Sequence, residues 1–340
     1  MHLGRMYSLK EYLVWMRRET VFLFLWSALV TALLEITHWQ FLEIPGVALS
    51  IVGVAVAIIL GFKNEECHSR VNEALTTWEQ ITSASRVWAN KSLTIVGQLK
   101  SAQAAALLRT LFYRHFAWLA ALRFSLRARK PWENTFEAGN ARYLAALPTP
   151  ESQSNLDDEL RGYLSEAEFE KTIGQHGDKG IFILGLQYKT FDQLLHEELI
   201  LDSIYVRLTD ALDDFVRLQE TAKRIKEYPY ARNYYSIALI LVKLFIGMLP
   251  LSLYSSAVDL GRPIGAEHWT AWLTVVFSVI LGWIFMTLEK VGENSSNPFE
   301  GGPNDVPISA ISRSIEIEMR GMLGEHTELK PIEPRYNILF

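Results

Sequence analysis

The sequence holds a single cysteine, Cys67, among 340 residues. One thiol excludes an internal disulfide framework and any cysteine-rich metal site. The eight histidines show no HExxH-like spacing, Cys67 has no evident partner base, and no glycine-rich phosphate loop occurs. Nothing in these patterns points to an enzyme or to a bound cofactor. Basic residues are dispersed and the net charge is −5, which leaves no footprint for nucleic acid. Charge is scarce at 21% of residues against 49% apolar, so buried or lipid-facing surface is expected beyond that of an ordinary soluble chain. No strand-like alternation persists, and neither an internal repeat nor a low-complexity tract is visible. The expectation is an all-α protein.

What is present is a set of long apolar runs. A bilayer is crossed by about 20 apolar residues in a helix. Four segments meet that length: Val21–Trp39, with Glu35 near one end; Ile44–Phe62; Tyr234–Val258, with Lys243 inside it; and His268–Leu288. A set of buried helices in a soluble protein is the bland alternative, but the aromatic ends of these runs suit a bilayer better. Lys10, Arg17 and Arg18 precede the first span, Lys63 and Arg70 follow the second, and Lys223, Arg224, Lys226 and Arg232 precede the third. Lys290 follows the fourth. The connection Glu35–Glu43 has no Lys or Arg, and Asp259–Glu267 has only Arg262. The positive-inside rule then puts both termini and the long middle, Lys63–Asn233, in the cytoplasm, as expected of a multi-pass plasma-membrane protein. No small-residue cleavage site follows the first run and a second span comes at once, so that run is not read as a cleaved signal.

The middle reads as helical. "SAQAAALLRTLFYRHFAWLAALRFSLRAR", residues 101–129, has apolar residues at three- and four-residue spacing. "TFDQLLHEELILDSIYVRLTDALDDFVRLQETAKRIKEY", residues 190–228, reads as one more long amphipathic helix, ended by Pro229. Residues 131–180 between them read as loop and short helix. The second span runs into Lys63, Asn64, Glu65 and Glu66 with no turn signal, which predicts one helix continuing out of the bilayer. Such a helix suits the lining of an aqueous path and a lipid-facing helix with a cytoplasmic extension equally well.

Several stretches resemble the bestrophins, the bacterial homologues in particular. Gly61, Phe62, Lys63 and Asn64 are similar to the family's "GF-R-N", and Arg70, Glu73, Trp78 and Ser83–Arg86 match the pattern that follows it. His68 departs from it in place of a Tyr, as do Val71 and Asn72 in place of paired Trp. "RHFAWLAALRFSLR", Arg114–Arg127, looks like the family's "R-x-x-A-W-x-x-A-L-R-x-x-L-R" helix. "NPFEGGPNDVPISAISRSIE", Asn297–Glu316, is similar to "PFG-x-x-x-NDLPLD-x-I-x-x-x-IE". The resemblance covers most of the chain outside residues 131–180.

The resemblance implies an ion channel, assembled as a homopentamer around one central pore, that conducts monovalent ions. Chloride is the ion that the family name suggests, and a cation-selective channel of the same fold is the alternative. The family's neck falls on Val54, Ile58 and Phe62, which at i, i+4 and i+8 share one helix face. Five such stripes could gate by dewetting. Without the resemblance, packing of these three against another helix or lipid would be preferred. Gly53, Ala57 and Gly61 beside the stripe suit close helix packing. A second, cytoplasmic constriction falls on Ser203 or Ile204.

Animal members hold calcium in an acidic cluster after "NPF". Here Glu300 and Asp305 are the nearest to metal candidates, and two separated acids around a proline make a poor cage. Calcium regulation is not expected, and Asn304 and Asp305 are read as caps of the helix that follows. Glu197, Glu198, Asp202, Asp210, Asp213 and Asp214 either concentrate cations at a vestibule or form a solvated outer face. Lys243 faces either a partner such as Glu35 or a water-filled cavity. Two readings of other classes remain beside the channel. A carrier predicts discontinuous spans, for which Pro250 is the candidate break. The other is a non-conducting scaffold whose cytoplasmic helices bind a partner.

Overall fold

The structure, a computed structural model, describes residues 1–7, 9–99, 104–133, 145–326 and 328–340. In chain order the first helices are α1 (Leu9–Trp15), α2 (Arg17–Thr37), α3 (Gly46–Val96) and α4 (Ala104–Arg127). Three short ones follow: α5 (Pro150–Gln153), α6 (Leu156–Tyr163) and α7 (Glu166–Ile173). Then come α8 (Lys179–His196), α9 (Asp202–Glu227), α10 (Arg232–Gly261), α11 (Glu267–Ala271), α12 (Leu273–Asn294) and α13 (Ile308–Met322). Among the described residues β structure is confined to isolated bridges, so the all-α expectation holds.

The chain divides into two compact units: residues 4–69 with 229–296, and residues 1–3 with 70–228 and 297–340. The first contains the apolar runs. Four helical stretches, Arg17–Thr37, Gly46–Val96, Asp202–Ile264 and Glu267–Asn294, are long and apolar enough to cross a membrane. In α2 the buried residues Leu23, Ser27, Val30, Thr31 and Leu34 recur at helical spacing on one face. His38 closes that helix with φ +51, its amide donating to the Leu34 carbonyl at 2.9 Å. The core of this unit gathers Leu23, Leu49, Val56, Leu60, Val242, Phe245 and Leu249. Pro250 lies inside α10, which continues through it to Gly261, so the third span is not discontinuous there.

The helix of the second span does continue beyond Phe62, running 51 residues to Val96. At about 1.5 Å per residue it is roughly 75 Å long. No glycine or proline interrupts residues 62–96, and Leu, Glu, Ala and Lys favour the helix.

The other unit has an aromatic core in which Trp78, Trp88, Trp118, Phe112, Phe191, Phe215 and Phe299 are fully buried. One sequence expectation fails here. Residues 190–228 are not a single helix, because the chain stops at His196 and restarts at Asp202. Glu198 takes a left-handed φ of +57, and its amide and that of Leu199 bond back to the carbonyls of Leu195 and Leu194, both at 2.9 Å. This is the Schellman stop, with glutamate where glycine is usual. α9 ends at Glu227, just before Tyr228-Pro229, as the steric bias ahead of proline requires. The expected helix over residues 101–129 is described from Ala104 to Arg127, and its first three residues lie outside the described set. In the stretch 131–180, α5, α6 and α7 are the expected short helices, while residues 134–144 lie outside the description.

Candidate functional site

The N-terminal part of α3 presents two faces. Leu49, Val56, Leu60, Lys63 and Cys67 are buried within the unit, at the heptad-like spacing of a helix seam. Val54, Ile58 and Phe62 lie on the other side and are 61%, 53% and 72% exposed. The three residues expected at a neck therefore form one apolar stripe that is left uncovered among the described residues. Of the small residues beside them, only Gly53 makes a close approach: a Cβ there would sit 3.0 Å from the Phe245 ring. Ala57 and Gly61 are exposed, so close packing within the chain is not their role.

Beneath the stripe lies a buried ion pair that the sequence reading missed. Lys63 is 1% exposed, and its ammonium donates to Glu289 Oε1 on α12 at 2.7 Å. The same ammonium lies 4.5 Å from the centre of the Tyr235 ring on α10. The Tyr235 hydroxyl donates to Glu293 Oε1 at 2.5 Å, one helical turn beyond Glu289. In the sequence Lys63 reads as a flanking charge. Glu289 and Glu293, spaced i and i+4 at the end of an apolar span, were the available signal of a buried partner.

Lys243 is exposed and does not pair with Glu35. Glu35 instead accepts from the Tyr254 hydroxyl at 3.0 Å and lies 2.8 Å from His268 Nδ1, a cluster where α2, α10 and α11 meet.

In the aromatic unit, Ser203 and Ile204 occupy the first turn of α9. Ser203 is exposed, whereas Ile204 is half-buried and packs on the core. Glu197, Glu198, Asp202, Asp210 and Asp213 are exposed, and Asp214 is half-buried beside Arg217. The capping role expected of Asn304 and Asp305 is not found. Pro307 holds the N-cap position of α13 with no side-chain cap, and Asp305 Oδ2 instead accepts backward from the amides of Gly301 and Gly302, at 2.7 and 2.9 Å. Two preceding glycine amides were nearer than the helix start. Burial pushes the Asp305 carboxyl above its usual range against the opposing pull of Arg127 and those amides. Glu300 accepts from the Asn297 amide at 2.5 Å. Among the described residues no three His, Cys, Asp or Glu side chains gather as a metal-holding group.

The same unit is braced by a second buried ionic group. Arg123 pairs with both Glu151 and Glu159, Ser309 Oγ donates to Glu151 Oε1 at 2.7 Å, and Arg127 Nε lies 3.5 Å from Glu151 Oε2. Burial opposes ionisation of Glu151, but the two guanidinium groups and the serine outweigh it and hold the carboxyl below its usual range. Arg123 and Arg127 are two of the three arginines of the motif quoted above, and Ser309 belongs to the stretch after the fourth span.

Comparison with known proteins agrees with this architecture. A family profile described as "Bacterial/Fungal Bestrophin protein" matches residues 13–321. The chain is 27% identical over 276 residues to the "Voltage-dependent anion channel-forming protein YneE" of Escherichia coli K12, covering 81% of this chain and 76% of the relative. It is 24% identical over 277 residues, at the same coverage, to the "Voltage-dependent anion channel-forming protein RSc3414" of Ralstonia nicotianae. Among solved structures, a bacterial bestrophin homologue from Klebsiella pneumoniae shares the fold with a TM-score of 0.75 at 21% identity, over 92% of this chain and 100% of the other. With four membrane-length apolar helices, the protein is a membrane protein. The profile spans the apolar helices and the aromatic core alike, and the chain belongs to the bacterial and fungal bestrophin family.

Proposed function

We propose that the protein is the subunit of a homopentameric channel that conducts monovalent anions passively, with Val54, Ile58 and Phe62 lining its neck. The carrying observation is the uncovered apolar stripe on α3, whose opposite face is committed to the core of its own unit. Exposed apolar side chains at i, i+4 and i+8 fit an axial constriction that conducts when wet and closes by dewetting. Family membership and the names of the anion channel-forming relatives support the same reading. Both termini, residues 63–233 and residues 289–340 are assigned to the cytoplasmic side by the distribution of Lys and Arg. Ser203 rather than Ile204 is assigned to the second constriction, because Ile204 packs on the core.

The test is mass measurement of the detergent-solubilised protein together with bilayer recording of Phe62→Ala. A pentamer whose conductance rises on Phe62→Ala is expected. A monomer, or a conductance unchanged by Phe62→Ala and Ile58→Ala, contradicts the proposal. A second reading, cation conduction through the same pore, draws on the exposed Glu197, Glu198, Asp202, Asp210 and Asp213.

A further inference from the structure

The Lys63–Glu289 pair has no part in conduction as described so far, yet it sits next in sequence to Phe62. An ammonium removed from water is tolerated only when it is paired and hydrogen-bonded. Lys63 meets that condition in one orientation of α3: its ammonium lies 2.7 Å from Glu289 Oε1, 3.4 Å from the Glu289 carbonyl oxygen and 4.5 Å from the Tyr235 ring centre. The surroundings leave little slack. A Cβ on Gly292 would lie 2.1 Å from Asn64 Oδ1 and 3.5 Å from Lys63 Cε, so α12 approaches α3 closely at this level.

Successive residues of an α-helix are turned by about 100° around its axis. Fixing Lys63 against α10 and α12 therefore fixes the direction of Phe62, and through the rigid helix that of Ile58 and Val54. A rotation large enough to turn Phe62 inward would strip Lys63 from Glu289 and leave two buried charges unpaired. Gly53 and Phe245 set the helix's distance from its neighbour higher up, but that contact is apolar and non-directional. At the level of Phe62 the ion pair is a directional restraint.

We propose that Lys63 is a positioning residue of the neck, holding the rotation of α3 through Glu289 and Tyr235 so that Val54, Ile58 and Phe62 share the outward face. The proposal rests on the neck reading above for its functional meaning, although the orientation of Phe62 can be measured without conduction.

The experiment uses the full chain with Cys67→Ser, which removes the native thiol, and Phe62→Cys, which supplies a reporter. The rate at which a membrane-impermeant thiol reagent modifies that reporter is read in detergent and in vesicles. Lys63→Met combined with Glu289→Gln removes the pairing while leaving the net charge unchanged, so an altered rate reports orientation rather than local potential. The rate is expected to change about fivefold or more in this neutral double variant, and to stay within about twofold on Lys63→Arg. A neutral double variant that reacts like the parent overturns the proposal, as does a Lys63→Arg rate as altered as that of the double variant. If that double variant does not fold, Lys63→Leu combined with Glu289→Leu, equally neutral and apolar, is compared with Lys63→Arg by the same criterion. Failure of the neck reading shows separately, as a conductance insensitive to Phe62→Ala while the reporter rate still responds to loss of the pair.

Discussion

Ser85 Oγ and His115 Nε2 lie 2.9 Å apart, joining α3 to α4 inside the aromatic core. The Ser85 hydroxyl donates to the Ile81 carbonyl at 2.7 Å, so it accepts from His115 and the imidazole carries its proton on Nε2. The ring stacks on Trp88 at 4.9 Å between centroids, with Phe215 and Trp118 at 4.8 and 5.1 Å. Burial drives its pKa from 6.5 down to about 3.

A neutral buried histidine gives a defined pH signature. The unfolded chain takes up a proton below about pH 6.5 and the folded one does not, so this stability is present above that value and is lost as pH falls toward 3. Thermal unfolding in detergent from pH 7 to 4 is expected to show a contribution of up to about 1.4 kcal/mol per pH unit that His115→Phe removes. An unchanged slope in His115→Phe contradicts the assignment.

Glu151 acts in a lower window. Its carboxyl is held below the usual range, so its contribution is present above the ordinary value of 4.5 and is lost as pH falls below that. At neutral pH, Glu151→Gln leaves Arg123 and Arg127 short of their shared partner and is expected to cost about 3 kcal/mol of unfolding free energy. Circular dichroism melts of parent and variant at pH 7 and pH 3.5 check both statements, since the gap between them should narrow in acid.

Ser203 and Ile204 separate by environment. Ile204→Ala removes core packing and is expected to cost about 2 kcal/mol with conductance retained. Ser203→Ile leaves the melting temperature near that of the parent and lowers the current by drying the second constriction. Reversed effects would assign Ile204 to the pore.

Gly53 tests the seam of α3. A branched side chain there meets the Phe245 ring, which stands 3.0 Å from the Cβ position. Gly53→Val is expected to destabilise the apolar unit by about 1–3 kcal/mol, whereas the same change at the uncrowded Gly61 alters assembly or conductance more than the stability of the subunit. Thermal melts in detergent and native mass measurement distinguish the two.

The spans were legible because a bilayer imposes a length and an apolarity that few other environments demand, and the run out of the second span was legible because no breaker follows Phe62. The stop at Glu198 was not, since its signal is a backbone conformation that glycine usually advertises. Lys63 and Glu289 lie 226 residues apart, and composition around either one cannot announce the other. The arginines of the Arg114–Arg127 motif stood out as a pattern, but their partners, Glu168 for Arg114 and Glu151 and Glu159 for Arg123, fell in a stretch that the resemblance did not cover. Asn304 and Asp305 carried a capping pattern ahead of a helix, and the nearer amides of Gly301 and Gly302 took Asp305 instead.

The most direct measurement is the reversal potential of the purified protein in a planar bilayer under asymmetric KCl. Anion conduction through an apolar neck predicts a value near the chloride equilibrium potential. A value near the potassium equilibrium potential would contradict it and turn the exposed carboxylates of α9 toward the ion path.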